Sequence, residues 1–376
     1  MQTDEKTARK QIIHAPSQSI AVRSAALVAR GLRDLTRNSN WLVKKAFFEH
    51  VPHLSISPTG KVCALLPTAG PDAQQIGVYD LDKSDGSRLT LLPKRNPDAG
   101  SFDARAAFAW SPTSQYLVAA GGAWQPVLHL FDLQRNSAPD GLGKLSICPS
   151  FLSWSGAGSF FAAASAGGNN ASLGIWNVSR DITLLLGPPD NSLGTLDGQE
   201  LQPLESQFDD DGAFSGYGRM AFSPDEKSLA VVLEYKGDWA DDSILVTDAP
   251  SMRGRDVFQA HGHITDLSWT PDNRQAIYCT GGQAYRLTAS SMVSEELSFA
   301  AELCACHPFV PICVCYSSWL KNSAEGRLCV FDLNRLEILD ECAAEGIVAL
   351  RWSQDGSKAY ALTQDGLAYI YESPIF

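Results

Sequence analysis

Polar and apolar positions along the chain follow a repeating order. In "LSWTPDNRQAIYCTGG", residues 267–282, apolar residues alternate up to Trp269, a Thr-Pro-Asp-Asn turn follows, a second alternating run comes next, and Gly-Gly closes it. A period of two on both sides of a Pro/Asp turn predicts a hairpin of half-buried strands. The same order returns in "LSISPTGKVCALLPTAG" from Leu54, "FAWSPTSQYLVAAGG" from Phe108, "LSWSGAGSFFAAASAGG" from Leu152 and "MAFSPDEKSLAVVLEY" from Met220. It returns again in "LRWSQDGSKAYALTQDG" from Leu350 and, degenerately, in "CACHPFVPICVCYSS" from Cys304. The turns fall at Pro58, Pro112, Gly156, Pro224, Pro271, Pro308 and Gln354, so seven units recur about every 49 residues, a period that marks a solenoid, propeller or array.

A third run, ending in an aromatic and a polar residue, follows most hairpins: "VYDL" at Val78, "LFDL" at Leu130, "IWNV" at Ile175, "VFDL" at Val330 and "IYES" at Ile370. A fourth short strand fits after each, as in "SRLTLLP" or "DVFQA". Four antiparallel strands per unit, repeated seven times, predict an all-β fold, a seven-bladed β-propeller closed into a ring.

The units resemble WD repeats over roughly residues 50–376. "HGHITDLSWTPDN" places His261 at that family's Gly-His histidine; "DGLAYIYE" resembles its Asp-Gly turn and Trp-Asp ending, with Tyr371 and Glu372 as substitutes. Trp176 matches the family's Trp-Asp tryptophan. The resemblance implies a propeller and is weak for function.

The last unit shows three evident strands, so its fourth is expected from "WLVKKAFFEH", residues 41–50, which would close the ring and leave no open edge. Two regions are therefore expected: an N-terminal arm at 1–40 and a propeller at 41–376. Within the arm, residues 17–37 predict an amphipathic helix with Ile20, Leu27, Val28, Leu32 and Leu35 along one stripe. Residues 1–50 hold nine Lys/Arg against four Asp/Glu, whereas the whole chain has a net charge of −12. That asymmetry fits a helix docked on its own acidic propeller, or one presented to an acidic partner or surface.

In such a blade, the loops after the second and fourth strands share one end, the top. Residues 187–216 form a long top link with seven Asp/Glu and no Lys, Arg or His. The neighbouring loop "EYKGDWADDS" adds Glu234, Asp238, Asp241 and Asp242. The resulting acidic patch reads as a docking site for a basic segment, as hard oxygen ligands for a divalent cation from Asp209, Asp210, Asp211 and Asp242, or as a solvated loop. Its spacing does not match an EF-hand loop.

Trp110, Trp154, Trp269 and Trp352 recur at one template position and are expected in the core. Trp124, Trp239 and Trp319 match nothing in the repeat, and all three fall in top loops. Tryptophan is enriched at binding hot spots, so these three join Asp209, Asp210, Asp211, Asp238, Asp241 and Asp242 as candidate partner-binding residues. The alternative is that each folds over its own blade.

Cys304, Cys306, Cys313 and Cys315, with His307 between the pairs, invite a zinc reading. The template instead puts Cys306 and Cys313 at interior strand positions, so structural thiols are the favoured reading. Nine cysteines without a signal peptide point to a reducing, cytoplasmic setting. No run of 18 apolar residues predicts a spanning helix.

No nucleophile elbow, phosphate loop or His-Glu-x-x-His motif is present. The acidic chain lacks a basic stripe on the propeller, which argues against nucleic acid. The expectation is a monomeric, non-catalytic scaffold without a cofactor, binding a protein through an apolar segment flanked by basic residues. The second reading is a propeller enzyme or sugar-binding protein with an axial pocket.

Overall fold

The computed structural model describes residues 41–45, 54–66, 75–81, 88–91, 107–121, 127–133, 140–144, 150–164, 173–177, 214–235, 241–249, 256–318, 326–363 and 366–373. Every regular element among them is a strand, and all pairing is antiparallel. The expected helix at 17–37 lies outside the described residues, as does the rest of the 1–40 arm.

The strands form a β-propeller. Its sheets, numbered in chain order, begin with the inner strands Leu54–Ile56, Ala107–Trp110, Phe151–Trp154, Phe214–Phe222, Ile264–Trp269, Leu303–Cys306 and Ile347–Trp352. These first strands touch in sequence, and the last touches the first, so the cycle closes. Six sheets are complete four-stranded blades among the described residues, where the repeat predicts seven. Sheet 3 has three strands, Phe151–Trp154, Phe160–Ala164 and Leu173–Asn177, and the residues after it lie outside the described set.

Sheet 7 takes its outer strand from the other end of the sequence. Trp41–Lys45 pairs with Leu367–Glu372 in the register Trp41↔Tyr371 to Lys45↔Leu367. Trp41 is 4% exposed and lies 5.3 Å from the Tyr371 ring, centroid to centroid. Of the predicted closing segment 41–50, residues 41–45 form the strand, and 46–50 fall outside the described residues.

Alternation along each strand sends apolar residues to both neighbouring sheets. The core is accordingly divided into clusters at the joints. One, between sheets 4 and 5, includes Val232, Ile244, Leu267, Trp269 and Tyr278. Another closes the ring between sheets 7 and 1 with Ile56, Tyr79, Tyr360, Leu362 and Ile370. Burying a side chain of this size is worth roughly 1.5–3 kcal/mol, so each joint rests on several such terms.

Three of the four template tryptophans fasten these joints through their indole N–H groups. Trp110 Nε1 donates to Ser55 O (3.2 Å), Trp269 Nε1 to Ala221 O (2.8 Å) and Trp352 Nε1 to Ala305 O (2.9 Å). Each acceptor is the equivalent carbonyl on the preceding inner strand. Sheet 6 has Cys306 at this position, and its Sγ lies 4.0 Å from Ser268 O, again the equivalent carbonyl.

A hydroxyl stabilises six of the seven first turns. The Oγ atoms of Ser57, Ser111, Ser155, Ser223 and Ser353 accept from the N–H groups of Lys61, Tyr116, Phe160, Ser228 and Lys358 at 2.8–3.0 Å. Thr270 Oγ1 shares its single proton between Asp272 Oδ1 (2.6 Å) and Gln275 O (2.8 Å). Three residues later the backbone of each of these turns is left-handed, at Gly60, Ser114, Gly158, Glu226, Asn273 and Gly356. Where that residue has a polar side chain, it bonds the preceding turn. Ser114 Oγ accepts from Thr59 N (3.2 Å), Glu226 Oε1 from Ala157 N (2.7 Å), and Asn273 Oδ1 from Asp225 N (2.7 Å).

Candidate functional site

Of the candidate partner-binding residues, Asp241 and Asp242 are described; Trp124, Trp239, Trp319, Asp209, Asp210, Asp211 and Asp238 lie outside the described residues. Asp241 and Asp242 stand between the 236–240 segment and the third strand of sheet 4, Ser243–Asp248.

Asp242 is 1% exposed, a placement its sequence context does not announce. Its Oδ2 accepts from Ile264 N (2.8 Å) and meets His263 Nδ1 at 2.8 Å, while Oδ1 accepts from Tyr235 N (3.4 Å). Its backbone also bonds the link into sheet 5: Ala260 N donates to Asp242 O (2.8 Å), and Asp242 N donates to Gly262 O (3.2 Å). Asp241, half-buried, accepts from Gly262 N through Oδ1 (2.7 Å). Both carboxylates therefore tie the residues that lead into the third strand of sheet 4 to sheet 5. Asp242 is thus an interior carboxylate held by hydrogen bonds from sheets 4 and 5.

The acidic character extends inward. Glu234 lies beside Gly218, where an added Cβ would stand 2.5 Å from Glu234 Oε1 and the carboxylate would have to shift. Burial and the Asp242 carboxylate push the Glu234 pKa up, against the opposing pull of His263 and Arg219. Arg219 Nη1 lies 3.4 Å from Asp266 Oδ1, and Asp266 Oδ2 accepts from Cys304 N (2.9 Å). Burial raises the Asp266 pKa, with Arg219 opposing. This chain links the inner strands of sheets 4, 5 and 6.

Sequence reasoning missed Arg219, Asp266 and His263. Arg219 and Asp266 stand four residues before Ser223 and Thr270, a column that reads as strand unless the inner strands are compared with one another. At the Gly-His step, the structure puts His263 on a carboxylate, whereas the His261 carbonyl accepts from Thr280 Oγ1 (3.0 Å) and the residue is exposed.

The cysteine group lies in the joint between sheets 5 and 6. Cys279, Cys304, Cys313 and Cys315 belong to one core cluster with Ile277, Phe299 and Phe331. Cys304 is opposite Cys315, and Cys306 is opposite Cys313. Burial pushes the Cys279, Cys313 and Cys315 thiols up, which keeps them protonated. Among the described residues, no group of three ligating side chains is placed to hold a metal, and no helix is long and apolar enough to cross a membrane.

No protein-family model and no curated protein matches the sequence. Solved structures do resemble it. Kuenenia stuttgartiensis hydrazine synthase superposes with a TM-score of 0.58 at 13% identity, over 89% of this chain and 98% of that one. A chain of a mitotic checkpoint complex gives 0.56 at 13% identity, over 88% and 91%. The β-propeller domain of Myceliophteria thermophila Cps50 (Swd1) gives 0.55 at 12% identity, over 88% and 100%. At such identities the likeness concerns architecture and does not choose between an enzyme and a component of a complex. It agrees with the closed cycle of sheets: the fold is a β-propeller.

Proposed function

We propose that the chain is a seven-bladed, WD-repeat-like propeller that acts as a non-catalytic scaffold in a reducing compartment such as the cytoplasm. Its partner is a protein segment with an apolar residue flanked by Lys or Arg. The observation that supports this reading is the fastening of Tyr235, Asp241 and Asp242, which flank the segment of sequence containing Trp239. Asp242 holds Tyr235 and Ile264, and Asp241 holds Gly262. The residues on either side of 236–240 are thus held to sheets 4 and 5, and fixed flanks lower the ordering cost of binding.

In this reading Trp239 is the apolar anchor, with Trp124 and Trp319 at the corresponding places in the sequence, after the second strands of sheets 2 and 6. Asp209, Asp210, Asp211 and Asp238 supply charge, and Asp241 and Asp242 hold the platform. Neighbours found in a mitotic checkpoint complex and as a Swd1 propeller domain support a protein partner. The test is recovery of partners from native extract on immobilised full-length protein, compared with a Trp124→Ala/Trp239→Ala/Trp319→Ala variant that retains its circular dichroism. Loss of the specifically retained proteins supports docking through these loops; unchanged recovery rules it out.

A further inference from the structure

Two residues before each first turn, the inner strands carry Ser55, Ala109, Ser153, Ala221, Ser268, Ala305 and Arg351. Six are serine or alanine, and the arginine stands alone. In sheet 5 the side chains at this position and two residues earlier reach the next sheet: Ser268 Oγ accepts from Cys306 N (2.9 Å), and Asp266 Oδ2 from Cys304 N (2.9 Å). In sheet 7 the neighbouring Trp352 turns the other way, toward Ala305 and His307. Alternation therefore directs Arg351 toward sheet 1, on the same side as Ala349, which packs against the Ile56, Tyr360 and Leu362 cluster.

The backbone amides at that joint lack such acceptors. Ser57 N bonds Lys61 O (2.6 Å) as His307 N bonds Ile312 O (2.8 Å). By the alternation of an antiparallel ladder, the amides of Leu54 and Ile56 point to the free inner edge, as those of Cys304 and Cys306 do. Where sheet 5 offers Asp266 and Ser268, sheet 7 offers Ala349 and an arginine, which has donors and no acceptor. Among the described residues the Arg351 side chain makes no hydrogen bond or ion pair. It is half-buried, and desolvation lowers its pKa to about 10, so it stays charged at neutral pH. A half-buried guanidinium with no counter-charge among the described residues is available to an anion.

We propose that the joint between sheets 7 and 1 is an oxyanion site, in which Arg351 holds a carboxylate or phosphate group against the inner-edge amides of Leu54 and Ile56. The planar guanidinium presents two parallel donors that match either group. Partial exposure leaves the site open to a small ligand from the axis. The chain's net charge of −12 disfavours indiscriminate anion binding elsewhere. This site is independent of the loops proposed to dock a protein.

The test follows the thermal midpoint of the full-length protein during titration with inorganic phosphate and, separately, succinate, with ionic strength held constant by sodium chloride. Wild type is expected to show a saturating rise of a few degrees. Saturation with phosphate alone assigns a phosphate ligand, and with succinate alone a carboxylate. Arg351→Ser installs the residue found at Ser55, Ser153 and Ser268, and is expected to fold and lose the rise. Arg351→Lys keeps the charge without the fork and is expected to need at least tenfold more anion. Absence of a saturating rise in wild type, or an undiminished rise in either variant, would overturn the assignment.

Discussion

The imidazole of His307 lies 3.0 Å, through Nε2, from the carbonyl oxygen of Gly356, and so ties sheet 6 to the turn of sheet 7. His307 Nδ1 accepts from the N–H groups of Phe309 (3.0 Å) and Val310 (3.1 Å), which leaves the ring proton on Nε2 to donate to Gly356. One neutral side chain thus replaces both the turn hydroxyl and the inter-sheet staple of other units. Gly356 has φ 73°, and an added Cβ would stand 2.4 Å from His307 Cε1 and Nε2.

Gly356→Ala should therefore cost about 2–3 kcal/mol, from left-handed backbone strain and the displaced hydrogen bond. In a His307→Ser background the clash disappears, and the added cost should fall to about 1–2 kcal/mol of strain. Urea midpoints for the double-mutant cycle measure the coupling. Strictly additive costs would show that the two residues do not act as a pair.

Two histidines make stability sensitive to acid. Burial lowers the pKa of His129 from 6.5 to about 4 and also pulls that of His307 down. The unfolded chain binds these protons first, so stability is fully present above about pH 6.5 and falls as pH drops toward the folded values. For His129 the loss between pH 7 and pH 5 is about 2 kcal/mol. His129→Leu, which installs the residue found at Leu245 in sheet 4, should flatten the thermal midpoint between those pH values. An equally steep loss in the variant would remove His129 from the explanation.

Indole bonding separates two tryptophans at one template position. Trp269 Nε1 donates to Ala221 O, while Trp154 Nε1 is buried without an acceptor among the described residues. Trp269→Phe should destabilise by about 1–2 kcal/mol more than Trp154→Phe, since only the first strands a carbonyl. Equal losses in chemical denaturation would assign the tryptophans to packing alone.

Ring closure can be tested on adjacent residues of one strand. Trp41 is 4% exposed and Leu42 is 49% exposed. Trp41→Ala should cost about 3–5 kcal/mol, as truncations of buried aromatics do, while Leu42→Ala should stay within about 0.5 kcal/mol. Similar small effects on the melting temperature would mean that this strand does not hold the ring.

The hairpins were legible because Trp269, the Thr270 turn and Gln275–Thr280 express a period of two, and the spacing repeats it. Closure by Trp41–Lys45 was legible from the strand missing in the last unit. The staples were not. Glu226 and Asn273 look like ordinary polar turn residues, and their partners Ala157 and Asp225 lie 69 and 48 residues away, on preceding sheets. Asp242 sits in an acidic run that reads as solvated; only the approach of Ile264 N and His263 makes it an interior group. Arg219 and Asp266 become a pair only once neighbouring inner strands are set side by side. The cysteines were placed by template comparison, since Cys306 stands where Trp269 and Trp352 stand.

The central proposal is that Trp239, three residues before Asp242 in the sequence, docks a basic partner. Its most direct measurement is the affinity of the partner recovered from native extract for wild type and Trp239→Ala, at low and raised salt. Truncating a hot-spot tryptophan costs about 2 kcal/mol or more, so the variant should bind at least tenfold more weakly with its melting temperature unchanged, and wild-type affinity should fall as salt screens the carboxylates. Wild-type-like affinity for Trp239→Ala, together with binding indifferent to salt, would contradict the account.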